Sequence, residues 1–163
     1  MKTFTEFFHK LIQNANSQTI FEIFGQKKTI KGMSLYSAEH GSKYYKIVFS
    51  DNSLLIVLPE EQIVQYAHKE LGHIKSISDE DVGEKDIIEY KNHQFKLENK
   101  HDYQFVLQKI VGGLHDIEGE CQFSDYVNIS DSGDCLSLAW IAFDGRRSDV
   151  NSQTINIKDI NIL

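Results

Sequence analysis

One proline, two cysteines and no long apolar run set the first limits on this chain of 163 residues. With Pro59 alone and only 10 glycines, there is no low-complexity linker, so the chain does not read as a string of flexibly joined modules. Cys121 and Cys135 are too few for the disulfide framework of a small secreted scaffold. The start, Met1-Lys2-Thr3-Phe4-Thr5-Glu6, lacks a continuous apolar stretch and a small-residue cleavage site, which points to the cytoplasm. The longest near-apolar run, Leu54 to Leu58, is far too short to span a bilayer. Positive charge is scarce as well: 17 Lys and Arg against 24 Asp and Glu leave a net charge of −7. Such a surface repels phosphate at long range, so neither nucleic acid nor an anionic membrane is expected as a partner. Lys27-Lys28 and Arg146-Arg147 are too small to form a basic footprint.

Catalytic and metal signatures are also missing. The seven histidines are His9, His40, His68, His73, His93, His101 and His115, and no two of them are four apart as on a zinc-binding helix. There is no C-x-x-C pair and no G-x-S-x-G turn, and Gly112-Gly113 lacks the lysine and the following helix of a phosphate loop. Both cysteines lie in apolar alternation, where a thiol behaves as a small inert hydrophobe. No metal and no cofactor is expected.

What is present is a globular balance, 40% hydrophobic and 25% charged, in a length suited to one domain over residues 1–163. Phe4, Phe7, Phe8, Leu11, Ile12 and Ala15 recur on one face of a helix, and Thr3 with Glu6 forms a capping box at its start. From Thr19 the pattern shifts to short strands. Thr19–Phe24, a pair around Gly32 within Lys28–Tyr36, and a hairpin of Tyr44–Phe49 and Leu54–Leu58 across Ser50-Asp51-Asn52-Ser53 are expected. Pro59, Glu60 and Glu61 suit a first helical turn, and Ile63, Val64, Ala67 and Leu71 an apolar helix face, so a second, short helix is expected before Gly72. The acidic stretch 78–86 reads as a surface connector, either a loop within one domain or a joint between two β subdomains. Beyond it, strands are expected at Ile87–Tyr90, Gln94–Leu97, Tyr103–Val111, 116–129, 135–143 and 154–162, with turns at Asp131–Asp134 and Asp144-Gly145. The fold class is therefore mainly β (α+β): an antiparallel barrel or sandwich-like sheet with an N-terminal amphipathic helix and one further short helix.

Two places could carry a function. In 115–123 strand parity puts Asp116, Glu118 and Glu120 on one face and Ile117, Cys121 and Phe123 on the other. The three carboxylates could grip a basic partner or a hard cation, although alternation alone accounts for every residue. In Leu136–Phe143, Trp140 shares a face with Leu136 and Leu138. The sole tryptophan could floor a pocket rimmed by Asp144, Arg146 and Arg147, a generic arrangement for binding.

The order Tyr90–Leu97, Cys121–Tyr126, Leu136–Trp140 and Ile155–Leu163 resembles an uncharacterised bacterial β-rich family of unknown function over roughly residues 86–163, outside the N-terminal helix. Asn92 stands where that family's hairpin carries glycine, and Ala139 where it carries an acid. The resemblance implies a style of fold and no known reaction.

Three functions remain in view. The first is a non-enzymatic binding or adaptor domain that recognises a basic protein through its acidic surface or the Trp140 region. The second is an immunity or inhibitor-like protein masking a basic toxin. The third is an enzyme with a scattered site around His115. The chain is expected to be a monomer, or at most a weak homodimer through its phenylalanine face.

Overall fold

The computed structural model describes residues 2–39, 42–114, 116, 118–141 and 145–163. The expected helix, α1 (Phe4–Asn14), is present. Its start is held by the capping box: Thr3 Oγ1 accepts from Glu6 N–H at 3.2 Å, and Glu6 Oε2 accepts from Thr3 N–H at 2.8 Å. Phe7 and Leu11 are the face it buries.

Eleven strands follow: β1 (Ile20–Ile23), β2 (Gln26–Ala38), β3 (Lys43–Phe49), β4 (Leu54–Leu58), β5 (Ile63–Ala67), β6 (Ile87–Tyr90), β7 (His93–Val111), β8 (Gly119–Asn128), β9 (Asp131–Ile141), β10 (Arg146–Thr154) and β11 (Ile160–Ile162). The eight strands β2-β3-β4-β5-β10-β9-β8-β7 run antiparallel in that order, and pairing of β2 with β7 closes them into a barrel. β1 and β11 extend the sheet beside β2, and β6 pairs with the first residues of β7. One sheet thus runs through both halves of the chain.

Local chemistry explains most of the hairpins. Asp51 Oδ1 accepts from the Ser53 N–H at 3.0 Å and the Ser53 O–H at 2.5 Å, which makes the β3–β4 turn. Lys91 and Asn92 adopt φ of 49° and 62°, the left-handed pair that a two-residue hairpin requires.

The structure departs from the sequence expectation in five places, one being the strand expected over 154–162: Arg146–Thr154 forms β10 instead, and only Ile160–Ile162 of the expected run is a strand, after the 3-10 turn. The segment after Pro59 is not a helix. Gln62 turns the chain at φ 57°, and Ile63–Ala67 becomes β5, pairing with β4 on one side and β10 on the other. Its apolar residues also satisfy a period of two, and the free edge of β4 needs a partner. The only helical turn beyond α1 among the described residues is a short 3-10 turn at Ile157–Asp159. Lys28–Tyr36 is one strand rather than two, bulged between Ile30 and Gly32, where a Cβ on Gly32 would lie 2.7 Å from the Leu114 amide nitrogen. Gln94–Leu97 and Tyr103–Val111 are parts of one 19-residue strand, β7, which bends through register shifts at Leu97/Asn99 and His101/Tyr103. The β8–β9 turn falls at Ile129-Ser130, so Asp131 already belongs to β9.

The two faces of the barrel differ in an instructive way. Tyr44 on β3 donates its O–H to Gln104 Oε1 on β7, across β2. Gln65 on β5 donates to Cys135 Sγ on β9 at 3.4 Å, across β10. Backbones two strands apart are separated by about 10 Å, so side chains that meet over that gap converge on the concave side. These positions therefore face the lumen, and the opposite parity faces outward. Much of the outward side is covered by apolar packing. Met33, Ile47, Phe49, Leu55 and Val57 join α1, β1 and β11 in one apolar cluster. Tyr126, Leu136 and Leu138 join Ile74, Ile77 and Val82 in a second. The segment 78–86 is thus partly a cover: Val82 is buried, and Gly83 N–H donates to the Tyr126 hydroxyl at 3.0 Å. On the lumen side, Tyr36, Leu54, Cys121 and Ile141 are buried, while Tyr44, Phe123, Asp125, Ser137 and Val150 are half-buried.

Candidate functional site

The outer face of β7, β8 and β9 is where the chain leaves apolar surface open. On β7, residues 103–107 alternate, with Gln104 turned to the lumen and Tyr103, Phe105 and Leu107 turned out. Those three are 45–48% exposed, although they sit in a continuous sheet whose neighbouring outer surfaces are covered. Beside them, Asp102, Tyr103, Glu120, Gln122 and Trp140 line an open depression of about 340 Å³. Register explains the grouping: Tyr103 lies opposite Glu120 across the β7–β8 pair, and Gln122 opposite Trp140 across β8–β9. Opposite residues of antiparallel strands share a face. Asp102, Glu118 and Glu120 are exposed around this strip, and Glu118 Oε2 accepts from the Val106 N–H at 2.7 Å.

The sequence-predicted site residues are only partly brought together. Trp140 and Glu120 do share the depression. Asp116, Glu118 and Glu120 are not one strand face, because β8 begins at Gly119. Asp116 accepts from the Tyr36 hydroxyl and lies 3.5 Å from Lys109 Nζ, while Glu118 caps the β7 backbone. No grouping of three metal-type ligands occurs among the described residues.

Arg147 lies opposite Trp140 across the β9–β10 pair, on the same outer face, but its guanidinium is turned to other partners. It is buried, and its guanidinium donates to Asp149 at 3.0 and 2.7 Å, to the Ile77 carbonyl at 3.0 Å and to Asp79 at 2.9 Å. Burial alone would weaken its charge, but the bonds to Asp149 and Asp79 outweigh that and hold it above the usual arginine value. Arg146 is exposed, one residue along β10 and on the opposite parity from Arg147. Asp144, His115, Ile117 and Phe143 lie outside the described residues.

The thiols fit their reading as inert. Burial pushes Cys121 and Cys135 up to about 11, away from the thiolate. Sequence reasoning missed Tyr103, Phe105 and Leu107. Their alternation is legible, but nothing local says which strand goes without an outer cover. It also missed Asp125, whose carboxyl lies deep in the lumen. Burial raises this carboxyl above its ordinary range, and the Ser137 hydroxyl and nearby His101 draw it partly back.

That shift has a definite sign. A carboxyl raised on folding contributes stability that is full below its unfolded value and lost as pH rises through the folded one. Asp125→Asn, which cannot ionise, is therefore expected to melt higher than the wild type near neutral pH, with the gap closing toward acid. Thermal melts across that range check it, and equal melting at neutral pH would contradict it.

Comparison with known protein families, curated proteins and solved structures gives no match, so the functional reading rests on this geometry.

Proposed function

We propose that this chain is a non-enzymatic binding module that docks a basic protein on the outer face of β7–β9. The observation that carries the reading is the exposed strip Tyr103, Phe105 and Leu107 next to Trp140, rimmed by Asp102, Glu118 and Glu120. Aromatic and aliphatic side chains on a rigid strand make interface anchors at little entropic cost, and surrounding charge selects the partner and speeds its approach. The net charge of −7 favours a partner of opposite sign. An immunity-like role is the case in which that partner is a toxin.

The test uses two substitutions at exposed positions, Phe105→Ser and Glu120→Lys. Both are expected to leave melting nearly unchanged, since surface changes away from special features cost within about 0.5 kcal/mol. The wild-type chain is expected to capture a basic protein that, once purified, binds it saturably in a calorimeter. Phe105→Ser should weaken that binding by about tenfold or more, and Glu120→Lys should slow association and reduce its salt sensitivity. Binding unchanged in both variants, or no saturable basic partner, overturns the reading.

A further inference from the structure

The depression on the outer face is built more specifically than an acidic surface. Tyr103 stands on β7 and Trp140 on β9, the strands on either side of β8, whose Glu120 and Gln122 lie between them. Backbones two strands apart are separated by about 10 Å, so a side chain entering between the two rings lies over Glu120 and Gln122. Asp102 completes the lining. A register shift between His101 and Tyr103 interrupts strict alternation, which lets the consecutive residues Asp102 and Tyr103 reach one hollow. β-Bulges re-aim side chains in this way, often beside functional sites.

The polar groups of this lining are unengaged. Among the described residues, neither the Asp102 nor the Glu120 carboxylate makes an ion pair. The Gln122 amide, the Trp140 indole N–H and the Tyr103 hydroxyl have no hydrogen-bond partner there either. The cation set closest by register is already held: Arg147, opposite Trp140, is bound by Asp149 and Asp79. A volume of about 340 Å³ is at the small end of ligand sites, which run from roughly 300 to 1,000 Å³. That suits one long side chain.

The chemistry selects among cations. The guanidinium of arginine is planar, weakly hydrated and stacks on aromatic faces, and it carries five donors in a fixed fork. It can lie against an aromatic wall and still donate to Asp102, Glu120 and the Gln122 carbonyl. A lysine ammonium is a compact charge that water holds more strongly.

We propose that this depression is a socket for one arginine side chain of the basic partner, with Tyr103 and Trp140 as its walls and Asp102 and Glu120 as its counter-charges. The proposal rests on the docking reading for the source of the arginine, and it adds the residue type that the face recognises.

Trp140 is the sole tryptophan, so its fluorescence reports the socket directly. The full chain is titrated into the millimolar range with acetyl-Gly-Arg-Gly-amide, and with the same peptide carrying lysine or citrulline, the neutral isostere of arginine. The arginine peptide is expected to change the emission saturably. The citrulline peptide should bind about tenfold or more weaker, and the lysine peptide about threefold or more weaker. Glu120→Gln should weaken the arginine peptide by about fivefold or more. Glu61→Gln, which removes the same charge from the exposed turn between β4 and β5, should bind as the wild type does. No saturable change overturns the proposal, as does equal binding of either substitute peptide, full binding by Glu120→Gln, or an equal loss in both variants. The docking reading fails separately. Equal peptide binding, with Phe105→Ser still weakening the basic protein, removes the socket and keeps the docking face. Arginine-selective binding with no saturable basic partner keeps the socket and removes the docking face.

Discussion

Asp149→Ala is expected to cost about 3–5 kcal/mol of stability, because it takes away the buried partner of a buried guanidinium and leaves only the exposed Asp79 carboxylate and the Ile77 carbonyl. Arg147 and Asp149 have side chains 1% and 0% exposed, and they meet through two hydrogen bonds. The same carboxylate accepts from the Ile74 N–H at 2.8 Å, and the Asp149 backbone bonds to Leu71 and Gly72. Asp149 therefore does two things: it neutralises Arg147, and it fastens the segment from Leu71 onward over the second apolar cluster. Loss on this scale is a large part of a typical total of about 5–15 kcal/mol. Urea unfolding followed by Trp140 fluorescence measures it. The double substitution Arg147→Met with Asp149→Leu should recover most of the loss, because an apolar pair leaves no buried charge, although the Ile74 N–H stays without its acceptor. A single variant within about 1 kcal/mol of the wild type, against the 3–5 expected, would show that Asp79 by itself is enough to neutralise Arg147.

Deletion of residues 1–16 is expected to turn a well-behaved chain into an aggregating one. Phe7 and Leu11 are 1% and 0% exposed and sit in the cluster formed with Phe21, Ile23, Phe49 and Ile160. Truncating either to alanine should cost about 2–5 kcal/mol through lost burial and the cavity left behind. Removing the whole helix uncovers the outer surface of the barrel, a continuous apolar patch of the kind that drives association. Phe7→Ala and Leu11→Ala, measured by chemical denaturation, are the graded version of the same test. Their effects should not add, because the two residues lie on neighbouring turns of one face. A truncated chain that stays monodisperse and equally stable would mean that α1 merely rests on the surface.

The sequence announced α1 because its signal is complete within fifteen residues: the Thr3–Glu6 box and a phenylalanine stripe at helical spacing. The hairpins at Asp51 and at Lys91-Asn92 were equally legible, since turn chemistry is local. The helix expected after Pro59 shows the opposite case. Val64 and Tyr66 face outward into the first cluster, and Gln65 faces the lumen. A short apolar segment fits both periods, and the unpaired edge of β4 decided between them.

The site was legible only as composition. Trp140 and Glu120 could be named, but their meeting with Tyr103 depends on the β7–β8–β9 register. Strand register does set Arg147 opposite Trp140, but the segment covering β10 buries its guanidinium against Asp149 and Ile77. By itself, then, the order of residues determined the helix, most of the strands, the tight turns and the acidic character, all of which follow from interactions within a few residues. Only the tertiary structure decided the closure of β2 on β7, which face became lumen, which outer strand stayed uncovered and which charges were buried. Those outcomes depend on contacts between residues far apart in the chain. A pattern of period two states that a strand has two faces, and the packing of distant elements chooses which one water sees.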